Sequence, residues 1–250
     1  MENENLHIVR YCQIDSTNQE ARRIAAAGAG ENTLILARAQ TAGRGRLGRS
    51  FYSPDGTGLY ATLLWYPDRP ITELGGLTCA AALATCVAIE QLCGCAPRIK
   101  WVNDLYLDGR KVCGILCESF GTPHGTALAI GIGVNLTTRD FPEELTGIAG
   151  SLQAAPDPLL LATRICQGMY PYLQSGDNAL WIEGYRDRFL LADARVDCIT
   201  PSERFPATVL GIDEGGALLV RADDGTQHIL YAGEVSIRAT DPSSPFYKPS

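Results

Sequence analysis

Positive charge, histidine and methionine are all scarce in this 250-residue chain. Lysine and arginine number 21 against 28 aspartate and glutamate, for a net charge of −7. That balance argues against sequence-independent nucleic-acid binding, which needs a basic face. The three histidines, His7, His124 and His228, lie far apart, and no Cys-x-x-Cys pair occurs. Cys93-Gly94-Cys95 has neither a partner pair nor a nearby histidine, so a zinc site is not expected. Met1-Glu2-Asn3-Glu4-Asn5 has no basic region and no apolar run, so no signal peptide is expected. The longest apolar-looking stretch, Leu74 to Leu92, is broken by Gly75, Gly76, Thr78, Thr85, Glu90 and Gln91, and does not read as a membrane span.

Other residue types are plentiful. Hydrophobic residues make up 46% of the chain, which excludes a disordered polymer. The length allows one large domain, or a medium one plus a small one. There are nine cysteines. Cys79, Cys86 and Cys93 fall seven apart, on one face of an expected helix, where cysteine acts as a small hydrophobe. Reduced thiols in a cytoplasmic protein are the expected state.

What positive charge there is concentrates locally. Gly43-Arg44-Gly45-Arg46-Leu47-Gly48-Arg49 packs three glycines and three arginines into seven residues. Glycine lets the backbone take positive φ and approach a ligand. Arginine offers a planar fork of donors for phosphate and carboxylate oxygens. The stretch reads as a flexible loop able to close over a small anion. Gly43-x-Gly45-x-x-Gly48 also spells the dinucleotide fingerprint, but that motif must open a helix. Arg49-Ser50-Phe51-Tyr52-Ser53-Pro54-Asp55-Gly56-Thr57-Gly58 follows instead and cannot be helical, so the match is rejected.

Around this loop the chain alternates. Leu6 to Gln13 reads as a strand. Thr17 and Glu20 form a capping box for a helix stopped by Gly28. Ser16 and Asn18 are not needed by the cap and stay open to a ligand. Strands are expected at Thr33 to Ala37 and Leu59 to Trp65, and a buried helix at Glu73 to Leu92. Arg98 to Val102 reads as a strand broken by Asn103-Asp104 and resumed at Leu105 to Leu107. Asp108-Gly109 is a hairpin signal, returning through Lys111 to Cys117. Thr126 to Asn135 follows, with Gly131 and Gly133 inside it. Interior glycine weakens a strand unless another group must approach the backbone, and here these two point to close approach of a ligand rather than to a bulge. Helices are expected at Leu159 to Leu173 and Ala179 to Leu191. From Ala194 short alternating strands (Arg195 to Thr200, Phe205 to Ile212, Ala217 to Arg221, Thr226 to Tyr231) suggest a small β-barrel. The expected division is 1–193, 194–240 and a loose tail, 241–250.

Five ordered stretches resemble one family. They are Ser16-Thr17-Asn18, the Gly43–Arg49 loop, Lys100-Trp101-x-Asn103-Asp104-Leu105, Lys111-Val112-x-Gly114-Ile115-Leu116-x-Glu118 and Gly131-Ile132-Gly133-Val134-Asn135-Leu136. In order and rough spacing they are similar to biotin–protein ligase, also called biotin–[acetyl-CoA-carboxylase] ligase. The segment 194–238, ending Gly233-Glu234-Val235-Ser236-Ile237-Arg238, resembles that family's SH3-like C-terminal domain. The sequence departs from the family at Val102, where proline is usual. Gly147-Ile148-Ala149-Gly150-Ser151 also lacks the aromatic residue that stacks on adenine in some members. Some members carry an N-terminal helix-turn-helix of about sixty residues; this chain begins too late to contain one, so DNA binding is not expected from the resemblance.

The resemblance implies an α+β fold: a mixed β-sheet catalytic domain with packed helices, like class II synthetases, plus the small SH3-like barrel. It implies ATP with Mg²⁺, biotin as substrate, and a biotin carboxyl carrier domain as acceptor. No dedicated metal site and no membrane are implied, and the chain would be a monomer or homodimer in the cytoplasm. Arg44, Arg46, Lys111 and Asp104 would be catalytic. Ser16, Thr17, Asn18, Gln40, Gly43, Arg44, Arg46, Lys111, Gly114, Leu116, Gly131 and Gly133 would bind biotin, the glycines leaving room for its bicyclic ring. Arg46, Arg49, Lys100, Asn103, Asp104, Asn135 and Arg238 would contact ATP. A lone Lys111 after a hairpin also reads as a solvated residue, and Trp101 as core. Two rivals remain. Lipoate or octanoate–protein ligases share the implied fold but favour an Arg-Arg…Gly-Gly-Gly…His signature absent here. A non-catalytic module binding acidic peptides is the other.

Overall fold

The computed structural model describes residues 6–28, 32–200, 203–231 and 236–239. Seven strands form one mixed sheet: β1 (His7–Ile14), β2 (Thr33–Gln40), β3 (Gly58–Trp65), β4 (Arg98–Lys100), β5 (Asp104–Leu107), β6 (Arg110–Thr122) and β7 (Gly125–Asn135). Their spatial order is β1-β2-β3-β7-β6-β5-β4. Only β1 and β2 run parallel, joined by α1 (Thr17–Ala26); every other pairing is antiparallel. Helices α2 (Leu77–Cys93), α3 (Pro158–Ser175) and α4 (Ile182–Arg188) follow. The C-terminal part is a five-stranded antiparallel sheet of β8 (Arg195–Ile199), β9 (Arg204–Ile212), β10 (Leu218–Ala222), β11 (Gln227–Leu230) and β12 (Ser236–Ala239), ordered β11-β10-β9-β8-β12.

The two faces of the large sheet follow from the period of two along a strand. Leu59, Leu63, Leu128, Ile130 and Val134 point into the main core beneath α2 and α3. Leu64, Ala127, Ala129 and Ile35 point the other way and pack on Ala21 and Ala25 of α1. Continuing the row from Ala127 and Ala129 brings Gly131 and Gly133 to that same α1 face. There they stand opposite Thr62 and Tyr60 of β3, and Leu116 and Gly114 of β6. The helix begins just where the side chains shrink. A cleft therefore opens on the sheet beyond the N-terminus of α1.

Several local expectations are corrected. No capping box forms: Ser16, extended at φ −157, is the N-cap, and no side chain caps the helix. Thr17 turns to Gln40, and Glu20 accepts from the Tyr11 hydroxyl at 2.7 Å and pairs with Arg23. Strand β4 stops at Lys100, two residues early, because Asn103 is held across to Ile115: its side-chain amide donates to the Ile115 carbonyl at 2.8 Å, and its own carbonyl accepts from the Ile115 amide at 3.0 Å. The helix expected at Ala179 to Leu191 is split. Asp177 accepts from the Ala179 amide over a 3-10 turn, Asn178–Leu180, and buried Trp181 breaks it before α4. After Arg188 the chain turns extended, and the Leu190 amide donates to Ile99 at the sheet edge. At Glu73 the chain is a 3-10 turn, Ile71–Leu74, and α2 starts only at Leu77. The Asp108-Gly109 hairpin forms as expected, both residues at positive φ. No register shift marks β7 in either of its pairings, so its glycines are not a bulge.

Candidate active site

A cleft of about 480 Å³ lies over this glycine floor. One wall is a closed polar network. Ser16, Thr17 and Asn18, at the start of α1, are all buried. The Thr17 amide donates to Gln40 Oε1 at 2.8 Å, and Gln40 Nε2 donates to the Ser53 hydroxyl at 2.9 Å. The Thr62 hydroxyl lies 2.8 Å from that of Thr17 and 2.6 Å from Asn18 Oδ1. Asn18 Nδ2 donates to Glu118 at 2.9 Å and to the Leu116 carbonyl at 3.3 Å. Buried polar groups are kept only when paired, and here α1, β2, β3 and β6 satisfy one another.

The other wall is cationic. Arg46 rises from a 3-10 turn, Arg46–Gly48, in which Leu47 takes φ 56. Its Nη1 donates to Asn103 Oδ1 at 3.2 Å, while its buried Nη2 has no partner. Burial pulls the Arg46 guanidinium below its usual value, and nearby Asp104 partly offsets this. Lys111 Nζ sits 2.7 Å from Asp104 Oδ1. Arg49 is exposed at the rim, and Lys100 stands 5.5 Å from the Tyr106 ring. Arg44 is half-exposed and 3.9 Å from Glu118. A guanidinium held in place, partly desolvated and with a free N–H pair is suited to an oxyanion.

Most of the expected site residues gather here. Ser16, Thr17, Asn18 and Gln40 line the polar wall; Arg44, Arg46, Arg49, Lys100, Asn103, Asp104 and Lys111 line the charged one; Gly114, Leu116, Gly131 and Gly133 form the floor. Lys111 is thus no solvated hairpin residue, and Trp101, though only 5% exposed, touches the cleft as well. Three others stand apart. Gly43 lies behind the lining, where a Cβ would meet the Phe51 carbonyl at 2.4 Å. Asn135 turns its amide away, donating to the Gly150 carbonyl at 2.9 Å. Arg238 has its backbone in β12, opposite Asp197; its side chain is outside the described residues.

The floor glycines correct one reading. A Cβ on Gly131 would meet Asn18 Oδ1 at 2.1 Å, and one on Gly133 would meet the Phe51 ring at 2.6 Å. The groups that approach the strand so closely are the protein's own amide and ring, not open space for a ligand. Phe51 and Thr62 were not singled out in the sequence. Thr62 had a signal, a hydroxyl inside the apolar run of β3. Phe51 had none, because its ring reaches the floor only through the return leg of the loop, where the Phe51 amide donates to the Gly43 carbonyl.

The comparisons agree with this geometry. The sequence profile of the biotin/lipoate A/B protein ligase family matches residues 10–135, and that of the biotin protein ligase C terminal domain matches residues 196–238. This chain belongs to the biotin/lipoate A/B protein ligase family. It is 34% identical to the biotin–[acetyl-CoA-carboxylase] ligase of Paracoccus denitrificans over 235 residues, 88% of this chain and 96% of that one. It is 32% identical to the bifunctional ligase/repressor BirA of Bacillus subtilis over 241 residues, 92% of this chain and 74% of the relative. The structure of the biotin protein ligase from Aquifex aeolicus in complex with biotin and ATP superposes with a TM-score of 0.78 at 26% identity, covering 94% of this chain and 99% of that one. The mixed α+β sheet with a small C-terminal β domain is thereby borne out. Among the described residues no helix is long and apolar enough to cross a membrane.

Proposed function

We propose that this chain is an ATP-dependent biotin–[acetyl-CoA-carboxylase] ligase. The biotin carboxylate attacks the α-phosphorus of ATP, forming biotinyl-5′-AMP and releasing pyrophosphate. A lysine amine of a biotin carboxyl carrier domain then attacks the acyl carbonyl, and AMP leaves with the bond electrons. Neither step needs a covalent protein nucleophile. Both need charge neutralisation and alignment. Arg46 meets the phosphoryl oxygens with its unpaired Nη2, and Arg44 and Arg49 close from the rim. Lys111 bridges the carboxylate and the α-phosphate, steadied by Asp104 until substrate arrives. Asp104 also receives the proton of the acceptor amine. The polar wall of Ser16, Thr17, Asn18 and Gln40 holds the ureido head of biotin.

Mg²⁺ would be supplied with ATP. Asp104 is the carboxylate that lines the cleft, and among the described residues no group of three or more His, Cys, Asp or Glu gathers to hold a metal. That donor set fits an ion carried mainly by phosphate oxygens and water, with Asp104 and Asn103 as protein oxygens beside it. When bound it screens triphosphate charge.

The observation that carries this reading is Arg46, anchored on Asn103 with a buried Nη2 unpaired, on the same wall as the Lys111–Asp104 pair and opposite the hydrogen-bonded network of Thr17, Asn18, Gln40 and Thr62. The test supplies ATP and labelled biotin without acceptor, then adds a carrier domain. A protein-retained biotinyl-adenylate and then a labelled lysine are expected. Activity with lipoate or octanoate and none with biotin would reassign the substrate. Stabilisation by acidic peptide but not by biotin plus ATP would make this a binding module.

A further inference from the structure

The segment that carries Asn103 and Asp104 into the cleft is held on β6 through Ile115, and it takes further support from outside the large sheet. The Trp101 indole N–H donates to the Gly216 carbonyl at 2.9 Å, in a buried contact. Gly216 lies in the turn between β9 and β10 of the C-terminal sheet. The Tyr185 hydroxyl of α4 donates to the Val102 carbonyl at 3.3 Å. The turn itself is held firmly. The Asp213 carboxylate accepts from the amides of Gly215 and Ala217 at 2.9 and 2.8 Å. Gly216 sits at φ +85, and a Cβ there would meet Cys79 Sγ at 2.8 Å and Trp181 at 3.1 Å.

A continuous chain of contacts thus runs from the C-terminal sheet to the cationic wall: Gly216 carbonyl, Trp101 indole, the turn at 101–103, the Asn103 amide, and Arg46 Nη1. The hydrogen bonds recorded for the described residues include none between Trp101, Val102, Asn103 or Asp104 and the network of Thr17, Asn18, Gln40 and Thr62. We propose that Gly216 and Trp101 are positioning residues for the nucleotide side of the cleft. The turn that carries Gly216, which does not line the cleft, would then set the placement of Asn103, and through it of Arg46. This rests on the ligase reading for its choice of substrate, and on geometry alone for the coupling.

Two glycines of the same sheet make the comparison. Gly225, in the β10–β11 turn, has φ +88, close to that of Gly216, but no atom lies within 4 Å of its Cβ position. Gly216→Ala and Gly225→Ala therefore impose similar backbone strain, and only the first displaces the acceptor of Trp101. In the full chain, pyrophosphate release gives the KM values for ATP and biotin. Hydrogen exchange reports the Ile115 amide, which donates to the Asn103 carbonyl. Gly216→Ala is expected to raise the KM for ATP about fivefold or more, to leave that for biotin within about twofold, and to speed exchange at Ile115. Gly225→Ala is expected to change none of these.

Should Gly216→Ala not accumulate as folded protein, Trp101→Phe takes its place with the same expectations. The proposal is overturned if the variants of the pair behave alike, if both substrates weaken equally, or if Trp101→Phe keeps the wild-type KM for ATP. A wild-type chain that releases no pyrophosphate with biotin refutes the ligase reading instead. The exchange comparison at Ile115 then decides the coupling by itself.

Discussion

The two walls of the cleft are built on opposite terms. On the α1 side, Thr17, Asn18, Gln40 and Thr62 satisfy one another, and buried hydroxyls and amides fix the shape before any ligand binds. On the loop side, Arg44 is half-exposed, Arg49 is exposed at the rim, and Arg46 keeps a buried N–H group unpaired. The first wall can select by shape and by hydrogen bonds of fixed direction. The second holds charge in reserve for a partner that brings the opposite sign. Under the proposed function a neutral bicyclic head would meet the first and a mixed anhydride with phosphate the second, so that one pocket would serve both ends of an acyl-adenylate.

The most severe way to break this division is to remove the charge. Arg46→Ala is expected to lower the rate of adenylate formation by about 10² to 10³, the size typical of losing one preorganised oxyanion donor. Single-turnover pyrophosphate release measures it. Biotin binding, by calorimetry without ATP, should stay close to wild type. Weakening of both to the same degree would mean that the walls are not separate.

A smaller effect is expected from the other side. Gly131→Ala forces a methyl into the space of Asn18 Oδ1, 2.1 Å away. Overpacking of this kind costs about 1–3 kcal/mol, read from denaturant unfolding. It should raise the KM for biotin and leave that for ATP nearly unchanged.

The smallest effect near neutrality concerns what the walls share. Strand β6 crosses the whole floor, and its Cys117 is pushed up to about 11 by burial; Cys79, Cys86 and Cys166 of the core are pushed up to about 12. The fold favours the neutral thiol. Its contribution is complete below the ordinary thiol value of 9.0 and is lost as pH climbs from there through the folded values. The melting temperature should therefore hold level up to about pH 9 and fall above it, as stability drops by at most about 1.4 kcal/mol per thiol and pH unit. Ligand-induced stabilisation by biotin and by ATP should fade together. Loss of one before the other would place the weak point in a single wall.

Much of this was legible in the residues. The Gly43–Arg49 loop, the Lys100–Asp104 break, Lys111 and the Gly131/Gly133 pair all converge on one cleft, because strand alternation and turn chemistry are local and leave local marks. Thr17 and Glu20 misled for a related reason. Their spacing satisfies a capping box, yet Gln40 and Tyr11, distant in sequence, compete for the same groups and win. Asn135 misled similarly, since its place beside the Gly-x-Gly pair gave no hint that the Gly150 carbonyl would claim its amide.

By itself the sequence determined the elements, their two faces and the chemical kind of the site: periodicity and residue type carry that much without long-range information. Only the tertiary structure decided which polar groups pair among themselves and which stay free for a ligand, that Phe51 and Asn18 fill the glycine floor, and that the C-terminal sheet reaches the cleft through Trp101. Those outcomes depend on distances between segments up to 115 residues apart. A hydrogen bond or a close packing contact is won by whichever partner the fold brings nearest, and no local pattern in the chain names that partner.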